Sequence, residues 1–241
     1  MKPYYEYGGF TIYNCDCREI LPALNADICL TDPPYSDVTH AGARTAARKP
    51  ENYHEKEPSS LLTFDSVTPE FLRECFGLVG PIIERWCVSF MDWRHISALE
   101  IAPPHELKFV RFGIWVKPNG APQFTGDRPA TGWEAVCIMH RDGKAMEWNG
   151  GGHHAVWMEN KPHQDSYPGD HPTVKPLPLV ERLTRLFSNE GETILDPFMG
   201  IGTTLLAAKN MGRKAIGIEI EEKYCEIAAK RLSQEVFDFG L

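Results

Sequence analysis

The sequence predicts an α/β fold of three layers, a mostly parallel sheet with helices on both faces, and three observations carry that reading. Strand-like and helix-like patterns alternate along nearly the whole chain, as they do where crossover helices join parallel strands. The run Asp27-Ile28-Cys29-Leu30-Thr31 is continuously apolar in its middle, which suits a strand covered on both sides rather than a half-exposed one. Strand, helix and strand patterns also follow one another between residues 10 and 31, a compact βαβ unit.

Each element has its own warrant. Residues 10–15 are β-branched and aromatic after the turn pair Gly8-Gly9 and predict a strand. A short helix is expected over 18–24, with Ile20, Leu21 and Leu24 on one face. After the strand at 27–31 the periodicity stops from Ser36 to Ser60, too long for a bare connection, and this stretch is expected to be a mobile loop. Helix over 71–79, strand over 86–90, helix over 95–101 and strand over 109–116 come next. Residues 117–132 read as a loop, 133–140 as a strand, and 141–144 as a turn. The stretch 145–170, with Asn149-Gly150-Gly151-Gly152 inside it, reads as an irregular excursion from the core. Helix resumes over 177–187, where Leu179, Val180, Leu183, Leu186 and Phe187 share a face and Pro178 suits the first turn. Strand 193–196, helix 203–211, strand 214–220 and a last helix over 222–236 complete the chain. One domain over 1–241 is expected.

Composition narrows the class. With 42% hydrophobic and 24% charged residues the chain can bury one sizeable core. It contains no apolar run near the roughly 20 residues of a membrane span and no signal-peptide core at its start, so no membrane partner and a cytoplasmic location are expected. Seven scattered cysteines without a CxxC pair indicate neither a disulfide framework nor a zinc site. His153-His154, with His163 and His171 nearby, fit no zinc spacing, and no metal is expected. The net charge of −8 argues, taken alone, against a general nucleic-acid binder.

Two strand-to-loop stretches carry chemistry. Asp32-Pro33-Pro34-Tyr35 combines an acceptor carboxylate, imide carbonyls and an aromatic face at the mouth of a strand, a place to hold a flat amine-bearing ring. The competing reading is a Pro-Pro turn with a capping Asp. Ile194-Leu195-Asp196-Pro197-Phe198-Met199-Gly200-Ile201-Gly202-Thr203-Thr204 reads as a cofactor loop, in which Gly200 and Gly202 allow close backbone approach and Thr203 can cap the next helix. Ile201 and Thr204 interrupt the GxGxxG pattern, which weakens a dinucleotide reading. Glu219 ends the next strand, where an acid can accept hydrogen bonds from ribose hydroxyls or serve as a helix N-terminal charge. In open α/β sheets both loops belong beyond the carboxyl ends of the strands.

These residues resemble the amino-group DNA methyltransferases that use S-adenosylmethionine, in the permuted β group. Asp32 to Tyr35 is similar to that family's catalytic motif, Asp196 to Thr204 to its cofactor loop, and His171-Pro172-Thr173-Val174-Lys175-Pro176 to the segment before the cofactor half. The order, catalytic motif first and cofactor loop last, is that of the permuted group. The resemblance implies a three-layer Rossmann-like methyltransferase fold with circularly permuted motif order. It implies that Asp32, Pro33, Pro34 and Tyr35 are catalytic. Asp196, Pro197, Phe198, Gly200, Gly202 and Thr203 would then hold the methionine end of the cofactor, Glu219 its ribose and Asp16 its adenine amine, with Thr173 and Lys175 touching it from the other side.

The chemistry implied is transfer to an exocyclic amine of a nucleotide flipped out of DNA. The family's cytosine-N4 enzymes usually begin the motif with Ser and its adenine-N6 enzymes with Asp or Asn, so Asp32 favours adenine. Cytosine N4, RNA and protein glutamine stay open as substrates, as does a module that binds the cofactor without catalysis. Residues 141–170 stand where the group carries target recognition. Arg44, Arg48 and Lys49, with Arg141 and Lys144, are candidate DNA contacts, although Ser36 to Ser60 balances four basic against four acidic residues. A second copy of the chain and a cognate restriction nuclease, as in restriction-modification pairs, are the partners the resemblance suggests.

Overall fold

The computed structural model describes residues 1–35, 68–123, 126–163 and 174–234. These form a nine-stranded mixed sheet flanked by helices. The strands are β1 (Tyr5–Tyr7), β2 (Phe10–Asn14), β3 (Ile28–Thr31), β4 (Trp86–Met91), β5 (Leu107–Val116), β6 (Trp133–Arg141), β7 (Val156–Met158), β8 (Thr193–Asp196) and β9 (Lys214–Glu219). The helices are α1 (Cys17–Ile20), α2 (Pro69–Val79), α3 (Trp93–Ile101), α4 (Leu177–Phe187), α5 (Thr203–Asn210) and α6 (Glu222–Ser233). Sheet order is β1-β2-β9-β8-β3-β4-β6-β5-β7. Pairing is parallel from β2 through β9, β8 and β3 to β4, and again between β5 and β7, with antiparallel pairs at β1-β2, β4-β6 and β6-β5.

Side-chain alternation along the central strands sorts the core into two layers. Ile28 and Leu30 of β3, with Trp86, Val88 and Phe90 of β4, pack against Leu179, Leu183 and Phe187 of α4, Leu205 of α5 and Ala228 of α6. Cys29, Cys87 and Met91 point the other way, into Cys17 and Ile20 of α1, Leu72 and Phe76 of α2 and Leu99 of α3. The continuously apolar reading of 27–31 follows from this double cover, since all four residues of β3 are buried.

Three elements depart from the expected pattern for identifiable reasons. The helix expected over 18–24 stops at Ile20 and becomes a 3₁₀ turn, Leu21–Ala23, because Pro22 has no N–H to continue the ladder. β1 pairs with β2 through Gly8-Gly9, both at positive φ (60° and 88°), a tight hairpin around a three-residue strand too short to show alternation. β7 was hidden in the excursion at 145–170. It adds to the edge at β5 because Gly113 leaves room for the Trp157 ring, where a Cβ would fall 2.5 Å from Cζ3.

The sheet places the site. From β3 the chain leads by way of α2 to β4 on one side, whereas from β8 it leads through α5 to β9 on the other. The loops after β3 and β8 therefore diverge, and the gap beyond their carboxyl ends is the topological switch point of the sheet.

Candidate active site

Asp32 follows β3 directly and Asp196 ends β8, two neighbouring parallel strands in register Ile28 to Ile194 and Cys29 to Leu195. Thr31 Oγ1 donates to Asp196 Oδ1 at 2.7 Å, and the N–H of Phe198 donates to the same oxygen at 3.1 Å. Burial pushes the Asp196 carboxyl up to about 6 against the pull of these donors. Gly200 and Gly202 take positive φ, 51° and 77°. Glu219, at the end of β9, braces this turn: its Oε2 accepts from the N–H of Gly200 at 3.0 Å and its Oε1 from that of Glu221 at 2.8 Å. Burial raises the Glu219 carboxyl, opposed by those two donors. Thr203 does not cap α5 as expected. The cap residue is Gly202, and Thr203 opens the helix with its Oγ1 3.4 Å from Arg231 Nη1, which also donates to the Ile201 carbonyl at 2.6 Å.

Asp32 meets a group that the sequence reading had assigned to the cofactor. Lys175 Nζ lies 2.5 Å from Asp32 Oδ2 and is buried there. The other oxygen, Asp32 Oδ1, is buried with no hydrogen-bond partner among the described residues. Burial raises the Asp32 carboxyl above its ordinary value, with Lys175 and, more weakly, the nearby Tyr35 hydroxyl pulling it down and Glu134 adding to the rise; the Tyr35 proton itself is directed at Glu134. Burial works against the Lys175 ammonium, but Asp32 and then Glu134 outweigh it and hold Lys175 charged.

Glu134 was not identified from sequence. Val116 of β5 faces Trp133 and Met91 of β4 faces Ala135, so Glu134 stands one step beyond the carboxyl end of β4, beside Asp32. Its Oε1 is ion-paired with Lys117, its Oε2 accepts from the Tyr35 hydroxyl at 2.9 Å, and Lys175 Nζ is 3.4 Å away. Burial would raise the Glu134 carboxyl, but Lys175 and Lys117 outweigh it and bring it below its usual value. Tyr35 is thereby anchored by its hydroxyl, with Lys175 Nζ 5.1 Å from the centre of its ring. The available signal was a lone acid just before the apolar run 135–139 of β6.

Other expected residues fall elsewhere. Asp16 reaches the same sheet edge, but as the N-cap of α1, where both carboxylate oxygens accept from Arg18, the shortest contact being 2.6 Å. Those hydrogen bonds lower its pKa. Arg141 and Lys144, expected to meet DNA, lie at the opposite edge. β6 runs antiparallel to β4, and the pair Trp86–His140 sits at the start of β4, roughly 17 Å below the Ala135 level at 3.4 Å per residue. Arg141 there donates to the carbonyls of Gly80 (2.8 Å), Pro81 and Ile83 (2.9 Å) and pairs with Glu106 at 2.7 Å. Lys144 pairs with Glu84 at 2.6 Å. Arg44, Arg48, Lys49, the 36–60 loop and Thr173 lie outside the described residues. No group of three or more His, Cys, Asp or Glu able to hold a metal, and no helix long and apolar enough to cross a membrane, occurs among the described residues.

A cleft of about 460 Å³ adjoins Lys175 and is lined also by Leu177, Thr203, Arg231, Asn160 and Lys161. It is reached by the chain leaving β7, which runs parallel to β5 and so carries residues 159–163 up to the active edge.

Comparison with known proteins agrees with this architecture. The chain is 28% identical, over an alignment of 261 positions including gaps, to the Type II methyltransferase M2.DpnII of Streptococcus pneumoniae, covering 97% of this chain and 93% of that one. It is 26% identical to the Type II methyltransferase M2.LlaDCHI of Lactococcus lactis subsp. cremoris, with the same coverage. The solved complex of M1.HpyAVI with SAM superposes with a TM-score of 0.69 at 26% identity, over 93% of this chain and all of that one. The DNA methylase profile of the N6/N4 methyltransferases matches residues 26–230, and the chain therefore belongs to the N6/N4 DNA methylase family.

Proposed function

We propose that this DNA methylase transfers a methyl group from S-adenosylmethionine to the exocyclic N6 of an adenine turned out of the DNA helix. The observation that carries the reading is the split environment of Asp32, one oxygen held by Lys175 and the other buried without a partner among the described residues. A buried unpaired carboxylate oxygen is costly in a resting protein. An incoming amine hydrogen satisfies it.

The residues fit the cofactor. A zwitterionic amino acid joined to a nucleoside needs acceptors for its cationic and hydroxyl groups and donors for its carboxylate. Asp196 and Glu219 offer the first, while Lys175, Thr203 and Arg231 line the adjoining cleft with the second. Asp196, Pro197, Phe198, Gly200, Gly202 and Thr203 would hold the methionine end and Glu219 the ribose. Asp16 would share its carboxylate between Arg18 and the adenine amine. When bound, the cofactor supplies a methyl group activated on a sulfonium.

The chain's own residues handle the nitrogen. The lone pair of an exocyclic amine is delocalised into the ring, so the amine is a poor nucleophile. Asp32 Oδ1 and the Pro33 carbonyl accept its two hydrogens and draw the nitrogen toward a pyramidal form, and the lone pair is freed. Positioning and electrostatics do this without a separate strong base. The proton shed afterwards passes to Asp32, whose raised pKa suits it as acceptor. Flipping the base costs a few kcal/mol of stacking. Tyr35, anchored through Glu134, presents its ring to offset part of that.

Adenine is favoured over cytosine because the motif opens with Asp32. Residues 159–163, at the active edge, are the described part of the 141–170 segment suited to target recognition. A second copy of the chain and a cognate restriction nuclease are its expected partners, the latter in keeping with relatives named as Type II enzymes. The test is incubation with S-adenosylmethionine and duplex DNA of random sequence, followed by sequencing of modified bases. N6-methyladenine at a defined site is expected. Methyl on cytosine alone overturns the base assignment, and its absence from both overturns the activity.

A further inference from the structure

We propose that Glu134 is a positioning residue for methyl transfer, holding the Lys175 ammonium between two carboxylates so that Asp32 Oδ1 stays open to the target amine. The proposal rests on the methyltransferase reading above but not on which base is methylated.

Glu134 belongs to none of the sequence motifs, yet apart from Lys117 its contacts are with residues of the site: the Tyr35 hydroxyl at 2.9 Å and Lys175 Nζ at 3.4 Å. The geometry is a chain of alternating charge, Asp32, Lys175, Glu134 and Lys117, with every side chain a quarter or less exposed. Two carboxylates and two ammonium groups leave the set neutral, but Asp32 does not own its counter-ion. An ammonium has three donors. With Glu134 charged, Lys175 gives one to Asp32 Oδ2 and directs another toward Glu134 Oε2. With Glu134 neutral, only the Tyr35 and Phe90 rings, 5.1 and 5.2 Å from Lys175 Nζ, remain to oppose the pull of Asp32, and Lys175 can close over both Asp32 oxygens. The acceptor meant for the amine would then be occupied before the amine arrives. Lys117 has a separate task, since it neutralises Glu134 from the far side and keeps that residue from drawing Lys175 away altogether.

The charged and titratable groups facing Asp32 are Lys175 from the segment before α4, Glu134 from β6, Tyr35 from its own loop and Asp196 from β8. Removing the Glu134 charge removes a group that raises the Asp32 pKa, so the acid limb of kcat moves to lower pH. Removing the Lys117 charge leaves Glu134 uncompensated, so the limb moves to higher pH. These opposite shifts follow from charge alone and report only that the pair stands beside Asp32; what a merely structural ion pair would not give is a loss in kcat with cofactor and DNA constants unchanged.

The experiment compares wild type, Glu134→Gln and Lys117→Gln in single-turnover transfer of labelled methyl to duplex DNA, scored on any base. Cofactor affinity by calorimetry and thermal stability are measured alongside. Glu134→Gln is expected to lose activity in kcat by up to about a hundredfold, the scale set by misplacing a reacting group by an ångström. Its cofactor and DNA constants stay within about twofold, the signature of an interaction that matters in the transition state alone. Wild-type kcat and pH profile in Glu134→Gln, or limbs that move the same way in both variants, overturn the proposal. If Glu134→Gln does not fold, Glu134→Asp takes its place: it keeps the charge but draws it back from Lys175, so a lowered kcat at unchanged cofactor and DNA constants supports the proposal and a wild-type kcat overturns it. A wild type that methylates neither base fails the functional reading instead, and the same assay reports that separately.

Discussion

Thr31 Oγ1 donates a 2.7 Å hydrogen bond to Asp196 Oδ1, and by it the strand that presents Asp32 is fastened to the strand that presents the glycine turn. Both partners are buried. The two halves of the site are thus held to each other beneath the switch point of the sheet, independently of any ligand.

Thr31→Val keeps the shape and removes the donor. Asp196 retains the Phe198 N–H, so the cost is that of a partly unsatisfied buried acceptor, about 1–3 kcal/mol. In a chain of this size each kcal/mol lowers the melting temperature by about 2–4 °C. Calorimetry at neutral pH reads it. A variant as stable as wild type would mean that the bond contributes nothing net.

The Asp196 carboxyl yields a pH dependence of known sign. Its folded pKa, about 6, is above the ordinary 3.8, so the native state holds a proton that the unfolded chain has released. Its contribution to stability is therefore fully present below pH 3.8 and is lost as pH rises through 6. At about 1.4 kcal/mol per pH unit the loss is about 3 kcal/mol. Denaturant titrations of wild type and Asp196→Asn between pH 4 and pH 7 isolate it: the difference in unfolding free energy should fall against wild type as pH rises. A flat difference would remove the buried charge from the account.

What the residues disclosed before any coordinates depends on how local the cause was. The apolar stripe of α4 and the double-sided burial of β3 come from periodicity within one element, and each is readable there. Asp32 to Tyr35 and the turn through Gly200 and Gly202 are likewise contiguous. Glu134 and Lys117 are not, because Glu134 comes beside Asp32, and Lys117 beside Glu134, only through the β4-β6-β5 register, and nothing in either neighbourhood specifies which strands pair. Lys175 was legible as a site residue, but its contact with Asp32 was not, since that partner lies 143 positions away in sequence. Arg141 failed for the mirror reason. A basic residue after a strand resembles a phosphate contact until the direction of that strand is known.

Arg141 therefore distinguishes the two edges of the sheet. Its guanidinium holds the carbonyls of Gly80, Pro81 and Ile83 while paired with Glu106. Arg141→Ala leaves those acceptors and one carboxylate without it, for about 2–4 kcal/mol of stability. DNA affinity should stay within about twofold, and its salt dependence unchanged, where a lost phosphate contact would reduce the log–log slope by about 0.9. Lys144→Ala, which removes a half-exposed pair with Glu84, should alter stability by less than about 1 kcal/mol and DNA binding not at all. Fluorescence titrations at several salt concentrations check both. A slope that drops on either substitution would put DNA on the far edge.

Gly202 tests why the turn after β8 needs glycine. Its φ of 77° is left-handed, and a Cβ there would come 2.8 Å from Ala228 Cβ and 3.4 Å from Ala228 Cα on α6. Gly202→Ala thus meets two separate penalties, about 1–2 kcal/mol for the backbone conformation and about 1–3 kcal/mol for overpacking against a neighbouring helix. The second can be relieved and the first cannot. In a double-mutant cycle with Ala228→Gly, whose own cost of about 1 kcal/mol is measured separately, the coupling should recover the overpacking share and leave the backbone share in place. Full recovery would mean that the conformation itself carries no strain. No recovery would mean that α6 shifts freely, and Arg231, which reaches from α6 to the Ile201 carbonyl, would then not be holding the turn in register.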